Sequence, residues 1–203
     1  TAFTRRVRHT PRVSFVDQVT VDDVRYKMLW YDFSVIDHIL VHKLHKHPFF
    51  FSRFLSRNVE LLKGYDCICA HSFSGAYFAY EASRRFDVPY IVTWHGSDIH
   101  THPWRNSMIL KDTRLLMEGA SNNLFVSRAL MSESDRIVTA VRKEVLYNGV
   151  STSFKRYSQQ RREELQHQYG IRTGERVVAF AGSIVAVKNV LSLQQIFHSI
   201  RET

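Results

Sequence analysis

Two histidines stand directly after short apolar runs, His71 after residues 65–70 and His95 after residues 89–94. Ser72 follows the first, and Gly96, Ser97 and Asp98 follow the second. A neutral imidazole offers one donor and one acceptor, which suits it to bridging hydroxyl groups. Gly96 permits a sharp turn or a close backbone approach to a ligand, while Ser97 or Asp98 could equally cap a helix starting there. Three more polar clusters close apolar runs in the same way: Ser127 after 122–126, Asn148-Gly149 after 144–147, and Gly182-Ser183 after 177–181. Taken alone, Asn-Gly marks only a turn.

The runs that would carry these residues read as buried strands: YDCICA at 65–70, PYIVTW at 89–94, 122–126, EVLYN at 144–148 and VVAFAGSI at 177–184. Between them, helical spacing covers 74–86 (apolar at Ala76, Ala79, Tyr80 and Ala82), about 105–118 closed by Gly119, and 127–138. Strands alternating with helices predict βαβ units with right-handed crossovers, hence an α/β protein with a Rossmann-like parallel sheet flanked by helices. Ligands bind such sheets beyond the carboxyl ends of the strands. Five polar clusters on that edge therefore predict a cleft. Polar residues 151–174 interrupt the rhythm, with a helix at 158–169 ended by Gly170. A new strand at 177–184 and a helix from about 188 then predict the opening of a second Rossmann-like domain. The division expected is a domain over 1–152, then a linker and first strand–helix unit over 153–203.

The net charge is +9 with histidine neutral, from 28 Lys and Arg against 19 Asp and Glu. Nucleic acid, anionic lipid and phosphorylated small molecules would all accept it. Much of it gathers at 33–63, read as two helices meeting at Pro48 and closed by Gly64. There Lys43, Lys46, Arg53, Arg57 and Lys63 accompany Phe49, Phe50, Phe51 and Phe54. Basic residues beside exposed aromatics suit an anionic membrane surface, although the phenylalanines could also be core. No nucleic-acid reader motif accompanies the charge. On a helical wheel Ile36, Ile39, Leu40 and Leu44 oppose His38, His42 and His45, a solvated polar face rather than a metal site. Residues 12–20 read as extended. Cys67 and Cys69, the only cysteines, read as buried free thiols, which fits a reducing cytoplasm. No apolar run is long enough to span a membrane. The first residues lack the apolar core of a secretory signal, and the missing initiator Met predicts removal of an N-terminal piece.

In order, PYIVTWHGSD, NNLFVS, VLYNGVSTSF and VVAFAGSIVAVKNV resemble family 4 of the retaining glycosyltransferases, across about residues 65–195. The resemblance implies the GT-B architecture of two facing Rossmann-like domains. It implies an acceptor-side sugar cleft at His71, His95, Gly96, Asp98, Ser127 and Asn148, with His95 the catalytic candidate, and a hinge near Asn148-Gly149. It also implies a donor diphosphate loop at Gly182, Ser183 and Lys188, where a cation stabilises charge growing on the leaving nucleotide. Ser183 stands where the family frequently has an arginine. The family's Glu-x7-Glu stretch would lie past residue 203 and no N-terminal glycine-rich loop is present, so the chain resembles a fragment that would not turn over alone. The implied substrates are a nucleoside-diphosphate sugar and a glycan or lipid-linked acceptor, with no cofactor or metal. The implied setting is cell-surface polysaccharide or glycolipid synthesis at the inner face of the plasma membrane. A nucleotide-sugar 2-epimerase of the same fold and a non-catalytic carbohydrate- or membrane-binding module remain open alternatives.

Overall fold

Four short strands form the sheet that positions the histidines: β4 (Ile68–His71), β5 (Tyr90–Trp94), β6 (Asn122–Phe125) and β7 (Lys143–Val145). They are all parallel and lie in sequence order, as the alternation of strand and helix requires. The computed structural model describes residues 2–6, 18–21, 24–32, 34–172, 174–175, 177–182, 184 and 188–201. They fall into two units that part between Gly149 and Val150.

Helix α3 (Ser72–Phe86) crosses from β4 to β5. The short α4 (Ser97–His100) and then α5 (Ser107–Gly119) lead to β6, and α6 (Arg128–Glu133) leads on towards β7. The core lies between sheet and helices, with Val92, Trp94, Ile99, Leu116, Met117 and Phe125 fully buried. The polar atoms of Trp94, Asn123 and Tyr90 within it are paired, as burial demands. The Trp94 indole N–H donates to Asn123 Oδ1 at 3.0 Å, and the Asn123 amide donates to the carbonyls of Met117 and Arg142. Tyr90 donates its hydroxyl proton to the Leu116 carbonyl at 2.7 Å. Gly119 makes this possible, because a Cβ there would stand 2.7 Å from the Tyr90 hydroxyl oxygen.

Before β4 come α1 (Val35–His42), α2 (Phe49–Asn58) and a 3₁₀ turn (Val59–Leu62). The buried residue of α1 is Asp37, whose two carboxylate oxygens accept from the backbone N–H groups of Phe50 and Phe51, each at 2.9 Å. Pro48, at the N-cap of α2, has no side chain to satisfy those orphan donors, so the neighbouring helix supplies a carboxylate instead. Leu55 and Val59 pack on Phe78 and Ala82 of α3 as a second, smaller core. The amphipathic face read on α1 is turned outward: Ile36, Ile39 and Leu44 are exposed. The phenylalanines divide, Phe49 and Phe50 exposed, Phe51 and Phe54 half-buried.

Strands β1 (Ala2–Arg6), β2 (Gln18–Val21) and β3 (Val24–Asp32) make a separate sheet in the order β1-β3-β2, with β1 parallel and β2 antiparallel to β3. The extended reading of 12–20 holds for 18–20; residues 12–17 lie outside the described residues.

Two expectations are corrected. Cys67 and Cys69 are free but exposed, because β4 is an edge strand of its sheet and its helix covers the opposite face, where Ala70 is buried. In the second unit, α7 (Gln159–Gln168) is capped by Ser158, and Gly170 follows in a left-handed conformation. Residues 177–181, however, are not a strand. Val177, Val178 and Phe180 are exposed, since a strand needs a neighbour to pair with and no other strand lies in this unit among the described residues. Helix α8 (Ser192–Arg201) begins four residues after Lys188. No helix among the described residues is long and apolar enough to cross a membrane.

Candidate functional site

Register places the two histidines side by side. His71 ends β4 opposite Thr93 of β5, and His95 follows Trp94, the last residue of β5. Nδ1 of His71 and Nε2 of His95 are 2.9 Å apart, with the rings stacked at 5.2 Å between centroids. A contact this short is a hydrogen bond in which one nitrogen carries the proton and the other accepts it. Either tautomer leaves the same pair of functions free: if His71 donates, its Nε2 accepts and His95 Nδ1 donates, and the reverse arrangement swaps them. Partial burial, then the neighbouring charge on His95, lowers the pKa of His71 from its ordinary value, so His71 favours its neutral form.

The loops that hold these rings are tied together by Asp98. Its Oδ2 accepts from the backbone N–H of His95 at 3.2 Å, and its Oδ1 from that of Phe73 at 3.4 Å. The carboxylate clamps the β5 loop to the start of α3 and does not cap α4, whose N-cap is Gly96 with no side-chain bond. Gly96 has φ +142° and ψ −81°, a backbone state closed to residues with a Cβ. Ser72 has φ +63°, so the chain turns from strand to helix without a linker and holds a strained residue beside His71.

A cavity of about 280 Å³ opens next to these loops. Ser72, Phe73, Ser97 and Asp98 form one wall; Pro48 and Phe51 of the α1–α2 hairpin and Tyr77, Ile109 and Asp112 of α3 and α5 form the others. The sequence pointed to this place only through His71-Ser72 and Ser97-Asp98. His47, Tyr77 and Asp112 were missed because they meet from three elements with no local motif among them.

The remaining candidates do not all join this site. Ser127 caps α6, its hydroxyl accepting from the N–H of Leu130 at 3.1 Å. Asn148 is exposed beyond β7, where the first unit ends. Gly182 and exposed Lys188 belong to the second unit, and Ser183 lies outside the described residues. The expected carboxyl edge is therefore furnished by four strands, not five. Lys43, Lys46, Arg53 and Arg57 are all exposed on the helical hairpin. His38 and His42 touch, with centroids 4.4 Å apart, but among the described residues no three His, Cys, Asp or Glu side chains gather to hold a metal.

TuaC of Bacillus subtilis (strain 168), whose name assigns it to teichuronic acid biosynthesis as a glycosyltransferase, is 25% identical over 121 residues, 60% of this chain and 31% of TuaC. Sucrose-phosphate synthase from Thermosynechococcus elongatus superposes with a TM-score of 0.64 at 16% identity, over 94% of this chain and 47% of that one. Anabaena HepE, solved with UDP and glucose, gives a TM-score of 0.51 at 18% identity, over 71% of this chain and 37% of its own. The chain thus spans between 31% and 47% of the length of these relatives. The sequence profile described as Glycosyltransferase Family 4 matches residues 8–154, and with the parallel sheet and its histidine edge this establishes that the chain belongs to glycosyltransferase family 4.

Proposed function

We propose that the intact protein transfers a sugar from a nucleoside-diphosphate donor to an acceptor hydroxyl with retention of anomeric configuration, in the synthesis of a cell-surface polysaccharide or glycolipid. The observation that carries this is the His71–His95 hydrogen bond at the carboxyl edge of a parallel sheet, in a chain of family 4. The pair offers a donor and an acceptor on adjacent rings, which matches the adjacent hydroxyls of a sugar. Asp98 fixes the loop beneath them, so the geometry is set before a substrate arrives. In the second unit Gly182, Ser183 and Lys188 are assigned to the donor diphosphate. Lys188 is an exposed cation that would stabilise charge on the leaving nucleotide, so the reaction as proposed calls on no metal. HepE's complex with UDP and glucose supports such a donor, and the name of TuaC supports the setting. The acceptor is a glycan or lipid-linked glycan presented at the inner membrane surface.

The test is a panel of nucleoside-diphosphate sugars incubated with the intact protein and a glycan acceptor mixture. Transfer to the acceptor with release of the nucleoside diphosphate is expected. Conversion of the donor to its 2-epimer, or no reaction with any donor, would contradict the proposal.

A further inference from the structure

The far end of the cavity holds polar chemistry that the histidine pair does not use. Asp112 of α5 places Oδ2 3.4 Å from Nδ1 of His47 in the α1–α2 turn, with the Asp112 side chain only 13% exposed. Burial pushes the Asp112 carboxyl up from its ordinary value, with the His47 charge acting against it. A carboxylate has about four acceptor positions, and a single contact of this length is poor return for desolvating one. Tyr77 of α3 stands beside them, its ring 6.5 Å from that of His47. Burial, followed by the charge of Asp112, pushes its hydroxyl up to about 12, so it stays a protonated donor throughout the physiological range. Around these groups the cavity wall is aromatic, from Phe51, Phe73 and Tyr77.

We infer that His47, Tyr77 and Asp112 form a sugar subsite that reads the hydroxyls of the acceptor's terminal ring, an assignment that rests on the glycosyltransferase reading above. A carboxylate accepts from two neighbouring hydroxyls at once, the tyrosine donates to a third oxygen, and aromatic faces cover the C–H side of a pyranose. The alternatives fit less well. Among the described residues no three His, Cys, Asp or Glu side chains gather to hold a cation, and a carboxylate in the wall repels a simple anion. The cavity also lies near the lower end of ligand-pocket volumes, about 300–1,000 Å³, which suits one ring and not a long lipid chain. Because Ser72 and Asp98 line the same cavity, a ring seated here would present its next hydroxyl towards the loops that carry His71 and His95. These three residues set specificity and position; the reacting atoms lie at the histidines.

Saturation-transfer NMR on the intact protein, with methyl glycosides of neutral hexoses, N-acetylhexosamines and hexuronic acids as probes, tests the subsite without a donor. At least one neutral glycoside should bind through its ring C–H protons. Asp112→Asn should weaken that binding at least about tenfold, a loss of about 1.4 kcal/mol. Tyr77→Phe, which removes one oxygen and leaves the packing in place, should weaken it several-fold. In transfer assays both subsite variants should raise the acceptor KM while the donor KM holds. Absence of binding by every glycoside, binding by hexuronic acids alone, or wild-type binding and acceptor KM in both variants would each overturn the inference. Failure of all sugar transfer with glycoside binding intact would instead remove the proposed function and leave the subsite.

Discussion

The hydrogen bond between His71 and His95 makes the acid side of a pH profile informative. Two ring N–H protons on the pair, or three, are compatible with the 2.9 Å contact, whereas a fourth leaves two donors facing each other. Since the folded pKa of His71 is lowered, the unfolded chain takes up the proton first as pH falls through 6.5, the ordinary value. Stability is therefore unaffected well above that pH and declines below it, modestly because the ring is exposed. In thermal melts from neutral to mildly acidic pH, His71→Gln should lose less stability on acidification than the parent. An identical decline in both would show that the pair does not titrate as described. Transfer by the intact protein should hold level above neutral pH and fall on the acid side. Gly96 belongs to this scale too. A Cβ there meets nothing closer than 4.0 Å, so Gly96→Ala acts through the backbone alone, at a cost of about 1–3 kcal/mol. Urea unfolding checks that range, and no loss would mean that the loop relaxes.

At the scale of elements, two devices hold the site's walls in place. Asp37 ties α1 to the amino end of α2 through two charge-assisted bonds. Asp37→Ala leaves two backbone donors without that partner and should destabilise the chain by about 2–3 kcal/mol, read as a lower urea midpoint at unchanged slope. A change under about 0.5 kcal/mol would show that water replaces the carboxylate freely. Gly119 is the second device, seating α5 against Tyr90. These elements also show what the sequence could tell. Between 68 and 145 the apolar runs are continuous, turn residues punctuate them, and strands and helices fell within a few residues of their expected places. Alternation of Val24, Tyr26, Met28 and Trp30 with Arg25 and Lys27 was the available signal for β3, but its charges masked it. The run at 177–184 looked like a strand because its composition is apolar; pairing depends on neighbours that composition does not reveal. Asp37 was unreadable for a related reason, since its partners are 13 and 14 residues away on another helix. The His71–His95 contact was half legible. Each residue announced itself at a strand end, but only the register of β4 on β5 brings the rings together.

The charge of the whole molecule gives the helical hairpin its proposed role as a membrane-facing surface. Val35, Ile36, Ile39, Leu44, Phe49 and Phe50 are exposed there beside Lys43, Lys46, Arg53 and Arg57, and the cavity opens against the same hairpin at Val41, Pro48 and Phe51. Each basic residue near an anionic surface contributes about 1 kcal/mol, and the attraction is screened by salt. The protein should therefore co-sediment with vesicles rich in acidic lipid at low salt. Reversing the four basic residues to Glu should abolish binding with the circular dichroism spectrum unchanged; binding indifferent to the reversal would move the charge excess to another role. The central claim, that the carboxyl edge of the β4–β7 sheet is where the sugar is transferred, is tested most directly by His95→Ala in the intact protein, measuring kcat/KM and Tm together. The account predicts a fall in kcat/KM of roughly tenfold to a hundredfold, the scale of a positioned hydrogen bond lost near the reacting sugar, with Tm nearly unchanged. A large fall in Tm with activity per folded molecule intact would contradict it and make His95 a turn residue.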